Sequence, residues 1–196
     1  DMYAATTYFY LTKETSGNHV AVAPSREARL FNNDVLTGST LFYPGAYLSA
    51  RVIDSNTSVE PWLQPMDAFD GEWYGNLNYM WLITARGKYI DYLIDIPEGG
   101  RYAFNVSMTS APDYGKFNYY LDGELIGTVD TFSAAVAQKN VTVDLVDLTP
   151  GAHILRVESA GKNTSSRGYY MGINYLTFVP TSQEIQINEY FFGGYD

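Results

Sequence analysis

With 196 residues and no cysteine, the chain is long enough for one sizeable core and has no disulfide or thiolate metal site to hold it together. A formal charge of −10 at pH 7 argues against phosphate backbones and anionic bilayers, both of which demand clustered Lys and Arg, and no nucleic-acid partner is expected. No apolar run approaches the roughly 20 residues of a spanning helix, and membrane insertion is not expected.

The chain opens on Asp1 rather than Met, which reads as a processed N-terminus. Residues 3–13 are dense in Thr, Tyr and Phe and read as a strand. A polar turn at 16–18 leads to a short strand over 19–23, stopped by Pro24. Residues 26–30 are expected to form a turn of helix capped by Ser25. Residues 40–53 read as two strands bent at Pro44-Gly45, and 54–71 as a loop or linker. From Trp73 the pattern becomes regular, with strands expected over 79–84, 89–96, 101–109, 116–121, 124–132, 140–148, 151–159 and 170–179.

The turns between these strands have mechanisms. Asp122-Gly123 is a two-residue hairpin, because Gly accepts positive φ and Asp tolerates it. Pro97-Glu98-Gly99-Gly100 and Thr149-Pro150-Gly151 end one strand and begin the next. Alternation places Phe104, Val106 and Met108 in the core with Asn105 and Ser107 outside; Val141, Val143 and Leu145 likewise put Asn140 outside. Asn56, Asn105, Asn140 and Asn163 each head an Asn-x-Ser/Thr sequon, read either as N-glycosylation sites of an extracellular or cell-surface protein or as ordinary polar surface.

An ordered set of residues carries a family resemblance. It runs through Trp73-Tyr74-Gly75 and Trp81, Ile96-Pro97, Gly100-Arg101-Tyr102, 111–115, Leu121-Asp122-Gly123, Gly127 and Asp130. It continues through 151–157, Gly161-Lys162-Asn163, Gly168-Tyr169 and 172–176. In this order the residues resemble a carbohydrate-binding-module-like, galactose-binding-type jelly roll, of the sort appended to secreted glycoside hydrolases. The resemblance implies an all-β sandwich over residues 73–180, with no catalytic residues of its own. It also implies a structural calcium ion, although such modules carry Asp where this chain has Asn174. Residues 1–72 are then a strand-rich extension packed on the sandwich or on a neighbouring subunit, and 181–196 a C-terminal arm.

Chemistry has little to stand on. Asp67 with Asp70 and Glu72, or Asp144 with Asp147, could pair as acid and base, but they sit in turns or on a solvent face. The two histidines, His19 and His153, are far apart in sequence, and no Gly-x-Ser-x-Gly elbow occurs. A non-catalytic glycan binder fits better. Sugars stack their C–H faces on aromatic rings and bond their hydroxyls to planar polar groups. The candidates are Trp73, Tyr74 and Asn76, then Asp113 and Tyr114, then Asn163, Arg167, Tyr169 and Tyr170. Trp81 and Tyr175 are expected in the core, and Tyr114 serves either as a platform or as a cap over the sandwich end. A second class of function fits the arms: residues 1–14 and 184–196 are strand-like and aromatic, as in subunits that assemble into filaments or surface layers by strand exchange.

Overall fold

A computed structural model describes the backbone of residues 9–15, 18–22, 27–32 and 35–181, and side chains from residue 40 onward. In chain order the strands are β1 (Phe9–Thr15), β2 (Asn18–Val22), β3 (Glu27–Asn32) and β4 (Val35–Pro44), followed by helix α1 (Gly45–Ser49). Then come β5 (Val52–Ser55), β6 (Trp62–Pro65), β7 (Leu77–Trp81), β8 (Tyr89–Ile96), β9 (Gly100–Ser110) and β10 (Lys116–Leu121). The last four are β11 (Glu124–Asp130), β12 (Ala137–Leu148), β13 (Gly151–Gly161) and β14 (Met171–Pro180).

These strands form two antiparallel sheets, and the protein is an all-β sandwich. The smaller sheet runs β11-β10-β13-β8-β5. In the larger sheet β14 is central: β9 lines one edge along its length and in turn pairs with β12. The other edge of β14 is divided, with β7 opposite Met171–Ile173 and β4 opposite Tyr175–Phe178. From β4 a meander continues through β3 and β2 to β1, while β6 pairs with β7.

The core follows from the alternation of residues along each strand. Ile90, Tyr92, Ile94 and Ile96 of β8 and Leu155 and Val157 of β13 face Phe104, Val106 and Met108 of β9 and Ile173, Leu176 and Phe178 of β14. Leu41, Tyr43 and Leu48 belong to the same cluster, so β4 and α1 are part of this core. The Tyr43 hydroxyl donates to the Asp95 carbonyl (2.7 Å) and Arg51 Nε to the Leu93 carbonyl (3.2 Å), tying α1 and its flanks to β8.

Several expectations need correction. The helical turn over 26–30 is instead strand β3, held by pairing on both sides with β2 and β4. Between the strands expected over 40–53 lies α1, with Pro44 at its N-cap in extended conformation. The linker over 54–71 contains β6, paired with β7 from Trp62↔Met80 to Pro65↔Leu77. On β12 a bulge between Thr142 and Asp144 shifts the phase, so Leu145 points to solvent and Val146 and Leu148 turn inward. Ser107 does lie on the outer face of β9, but it is buried there under the loop before β7. Of the arms invoked for strand exchange, residues 9–14 fall in β1, which pairs with β2 of the same chain. Residues 1–8 and 182–196 lie outside the described residues.

Candidate functional site

Two of the expected ring platforms are not available. Trp73 is buried, and its indole N–H donates to Thr109 Oγ1 (2.8 Å). Thr109 passes the bond to Asn78 Oδ1 (3.0 Å), whose Nδ2 donates to the hydroxyl of buried Tyr114 (2.8 Å) and to Gln64 Oε1 (3.2 Å). A buried amide and indole must find partners, and here Thr109 Oγ1 joins them, accepting from the indole and donating to the amide oxygen, in a layer where Trp73 and Tyr114 are both buried. Gly172 makes the arrangement possible: a Cβ there would lie 2.4 Å from Asn78 Oδ1 and 2.9 Å from the Tyr114 ring. Tyr114 therefore caps the sandwich end, and burial pushes its phenol far up from the ordinary range.

Asn174 belongs to the same layer. It sits at a bulge in the β14–β9 pairing, donates from Nδ2 to Ser107 Oγ (3.0 Å) and accepts the Tyr74 amide at Oδ1 (2.7 Å). A calcium ion needs several hard oxygens converging, with carboxylates among them. Asn174 is neutral and its oxygen is engaged, and no cluster of three acidic or histidine side chains able to hold a metal occurs among the described residues. The residues present do not fit the calcium ion that the resemblance implies.

The other candidates fall in two places. Tyr74 is half-buried on the outer face of the larger sheet, edge-on to Phe42 at 5.1 Å, and Asn76 is exposed, with its amide bonded to Asp67. Asp113, Asn163, Arg167, Tyr169 and Tyr170 meet at one end of the sandwich. The Tyr170 amide donates to the Asp113 carbonyl (3.1 Å), and the Arg167 amide to the Pro112 carbonyl (2.9 Å). Asn163 is committed at both ends, donating to Asp130 Oδ2 (3.0 Å) and accepting the Ser165 amide (3.0 Å). Tyr169 lies under the Lys162 ammonium (5.1 Å), and Tyr170 packs on the buried Met80, Ala111 and Tyr114. Tyr175, expected in the core, stands on the outer face beside Phe42 (5.0 Å). Among the sequons, Asn56 Nδ2 donates to the Gly87 carbonyl (3.0 Å) and Asn105 Nδ2 contacts the Ala103 carbonyl and Thr177 Oγ1 (both 3.3 Å). Only Asn140 is exposed with its amide free of hydrogen bonds among the described residues.

A groove of about 540 Å³ on the outer face of the smaller sheet escapes the residue-by-residue reading. Strand register aligns Leu125, Tyr120, Arg156 and Asp91 in one row across β11, β10, β13 and β8. The adjacent row is Thr128, Asn118, Glu158 and Tyr89. Arg156 binds Asp91 through two hydrogen bonds (2.7 and 2.8 Å) and lies over the Tyr89 ring at 3.9 Å. Bidentate pairing and stacking fix the guanidinium plane and raise its pKa further still. The Tyr89 hydroxyl donates to Asp54 (2.9 Å), which pushes the phenol pKa up. Thr128 donates to Asn118 (2.6 Å), and Asn118 reaches the Tyr120 hydroxyl (3.3 Å). Exposed Ile154 adds apolar surface beside Tyr120. Asp91, Asp122 and Glu158 against Arg156 leave the groove net acidic. The outward residues of β10 and β13, every second position of each, are what could have revealed it. Sequence reading also missed Trp62, the one exposed tryptophan of the three, because it placed that residue in a linker.

Comparison with known proteins agrees with this architecture. Among solved structures, a Paenibacillus xanthan lyase superposes with a TM-score of 0.59 at 21% identity, covering 66% of this chain and 12% of the lyase. The insecticidal crystal protein Cry2Aa gives 0.51 at 10% identity, covering 83% and 23%. The C-terminal family 6 module of a laminarinase from Zobellia galactanivorans gives 0.41 at 17%, covering 71% of this chain and 98% of the module. The chain thus spans under a quarter of the two larger proteins and nearly all of the isolated module. No curated protein matches it. The sequence model of carbohydrate-binding module family 6 matches residues 69–180, more than half of the chain, and the chain belongs to that family.

Proposed function

We propose that the domain binds neutral glycan chains without acting on them, on a secreted or surface-displayed polypeptide, and that the groove on the smaller sheet is the contact surface. The observation that carries the reading is the row Tyr120, Arg156 and Asp91, with Glu158 in the row beside it. It offers an aromatic ring next to planar charged groups already held in place, which suits the C–H faces and hydroxyls of a sugar. The net acidity of the groove and of the chain disfavours uronates and sulfated sugars. No acid and base converge across a cleft in it: Asp91 is tied to Arg156, and Glu158 points along an open sheet face.

Calorimetry with cello-, manno-, xylo- and laminari-hexaose, and a polygalacturonate as the anionic control, tests the reading. Tyr120→Ala is expected to weaken the preferred neutral ligand about tenfold, as loss of a stacking ring should. Glu158→Gln should weaken it several-fold. Arg156 is left intact, since removing it strands a buried carboxylate. Unchanged affinity in both variants together with loss in Trp62→Ala would move the site to the exposed tryptophan, and preference for polygalacturonate would overturn the charge argument.

A further inference from the structure

We propose that copies of this chain associate end to end, the basic loop over residues 162–170 of one copy seated in an acidic groove at the opposite end of the next. The inference goes beyond the glycan-binding reading and does not depend on it. Antiparallel pairing gives the sandwich two distinct ends. At one lie the loops that follow β7, β9, β11 and β13; at the other lie the turns that follow β8, β10 and β12.

Charge is sorted between these ends, although the chain as a whole is strongly acidic. Among the residues with described side chains, the first end carries Arg86, Lys88, Lys116, Lys139, Lys162 and Arg167 against Glu60, Asp113 and Asp130. The second carries Asp95, Glu98, Asp122, Glu124, Asp144 and Asp147 against Arg51 and Arg101. Part of each set is used internally: Arg51 pairs with Asp95, His153 faces Asp122, and Lys116 and Lys139 both reach Asp130. What remains is complementary. Exposed Arg86, Lys162 and Arg167 reach no carboxylate among the described residues, and exposed Glu98, Glu124 and Asp147 reach no cation.

The acidic end holds a groove of about 370 Å³ between β11 and β12, each the outermost strand of its sheet on that flank. Exposed Leu125 and Leu145 stand in it beside Glu124, Asp144 and Asp147. Leucines set among carboxylates match a Lys or Arg side chain, whose methylene stem covers apolar surface while its charged head reaches the acids.

The loop over 162–170 supplies such side chains on a fixed frame. Ser166 Oγ donates to the Tyr114 carbonyl (2.7 Å), the Ser165 amide to Asn163 Oδ1 (3.0 Å) and the Arg167 amide to the Pro112 carbonyl (2.9 Å). Lys162 and Arg167 therefore project from backbone already ordered, which lowers the entropy cost of docking. The occupant is a second copy rather than a terminal arm of the same chain: neither 1–8 nor 182–196 contains a Lys or Arg, and 182–196 adds Glu184, Glu189 and Asp196. Charge also selects the orientation, because chains of this net charge repel broadside and only the end-to-end approach brings opposite signs together. Each copy uses a different surface on either side of the contact, so a third copy adds to a pair and the assembly grows as a chain.

Sedimentation velocity of the full chain, without glycan, over a concentration series tests the proposal. At about 0.01 M salt, where charges act over about 30 Å, the mass is expected to climb above 21.9 kDa with concentration; at about 1 M salt it is expected to return to that value. Two variants at exposed positions separate the two ends. Lys162→Gln with Arg167→Gln keeps only the acidic end, and Glu124→Gln with Asp147→Asn keeps only the basic end; unchanged melting temperatures check that both fold. Each alone is expected to stay monomeric, and an equimolar mixture is expected to give one-to-one dimers that grow no further. Monomers of the unaltered protein at every concentration in low salt would overturn the proposal. So would association that strengthens with salt, that survives in either variant alone, or that passes beyond dimers in the mixture.

Discussion

His153 should make the stability of this domain depend on pH in an unusual direction. Its ring is buried, Nδ1 lies 2.6 Å from Asp122 Oδ2, and Nε2 lies 2.8 Å from the Thr149 carbonyl. Both partners accept hydrogen bonds, so only the doubly protonated imidazolium satisfies both nitrogens. Burial alone would lower its pKa; the bonds to Asp122 and Thr149 and the charge of Asp122 outweigh that and raise it above 6.5. A group with a raised folded pKa contributes stability that is fully present below the unfolded value of about 6.5 and is lost as pH climbs through the folded value. Asp122 is half-exposed, which tempers a charged hydrogen bond to about 1–2 kcal/mol. The substitution to use is Asp122→Asn. Asn tolerates the left-handed φ of 50° at this position and can still accept the Ile154 amide, now bonded to Oδ1 at 2.9 Å. Thermal unfolding from pH 5.5 to 9 should show the variant melting roughly 2–8 °C lower at the acidic end, with the gap closing towards the alkaline end. Proton NMR of the His153 ring should give a pKa above 6.5. A gap that stays constant with pH, or a ring titrating at or below 6.5, would sink the reasoning.

Gly172→Ala should destabilise the domain by about 1–3 kcal/mol in chemical denaturation, since the new methyl collides with Asn78 and Tyr114 inside a packed hydrogen-bonded layer. Trp73→Phe removes the indole bond to buried Thr109 and should cost about 1–2 kcal/mol of stability with no change in hexasaccharide affinity; a loss of affinity without a loss of stability would return Trp73 to the binding surface. Secreted from a cell that attaches N-glycans, the protein should carry one glycan, at Asn140. Intact mass before and after Asn140→Gln reads this directly, and a glycan at Asn56, Asn105 or Asn163 would show that their amide bonds do not guard them.

Strands β8 to β13 were legible because two local signals agree there. Alternation of apolar residues marks each strand, and Pro, Gly and Asp mark the turns, with Asp122 and Gly123 at φ values of 50° and 87° as a hairpin demands. Upstream the two signals do not agree at β6: it contains a proline and two exposed apolar residues, and it is a strand because β7 pairs with it. The bulge at Val143 cannot be read locally either, yet it decides that Leu145 faces water. Site residues were harder still. Trp73 next to Tyr and Gly looks like an exposed ring, yet it is buried, with its indole bonded to Thr109, 36 positions away. Tyr120, Arg156 and Asp91 come together only through register, from three strands, and no short motif contains them.

The divided edge of β14 bears on how this protein could be cut. The family match begins at residue 69, after β4, α1, β5 and β6 have passed. A fragment trimmed to that boundary would leave Tyr175–Phe178 without their β4 partners and strip Leu41, Tyr43 and Leu48 from the interior. Unpaired strand edges and opened cores invite association with other chains. The stretch the family model matches and the stretch that fills this core are, in this molecule, two different lengths of chain.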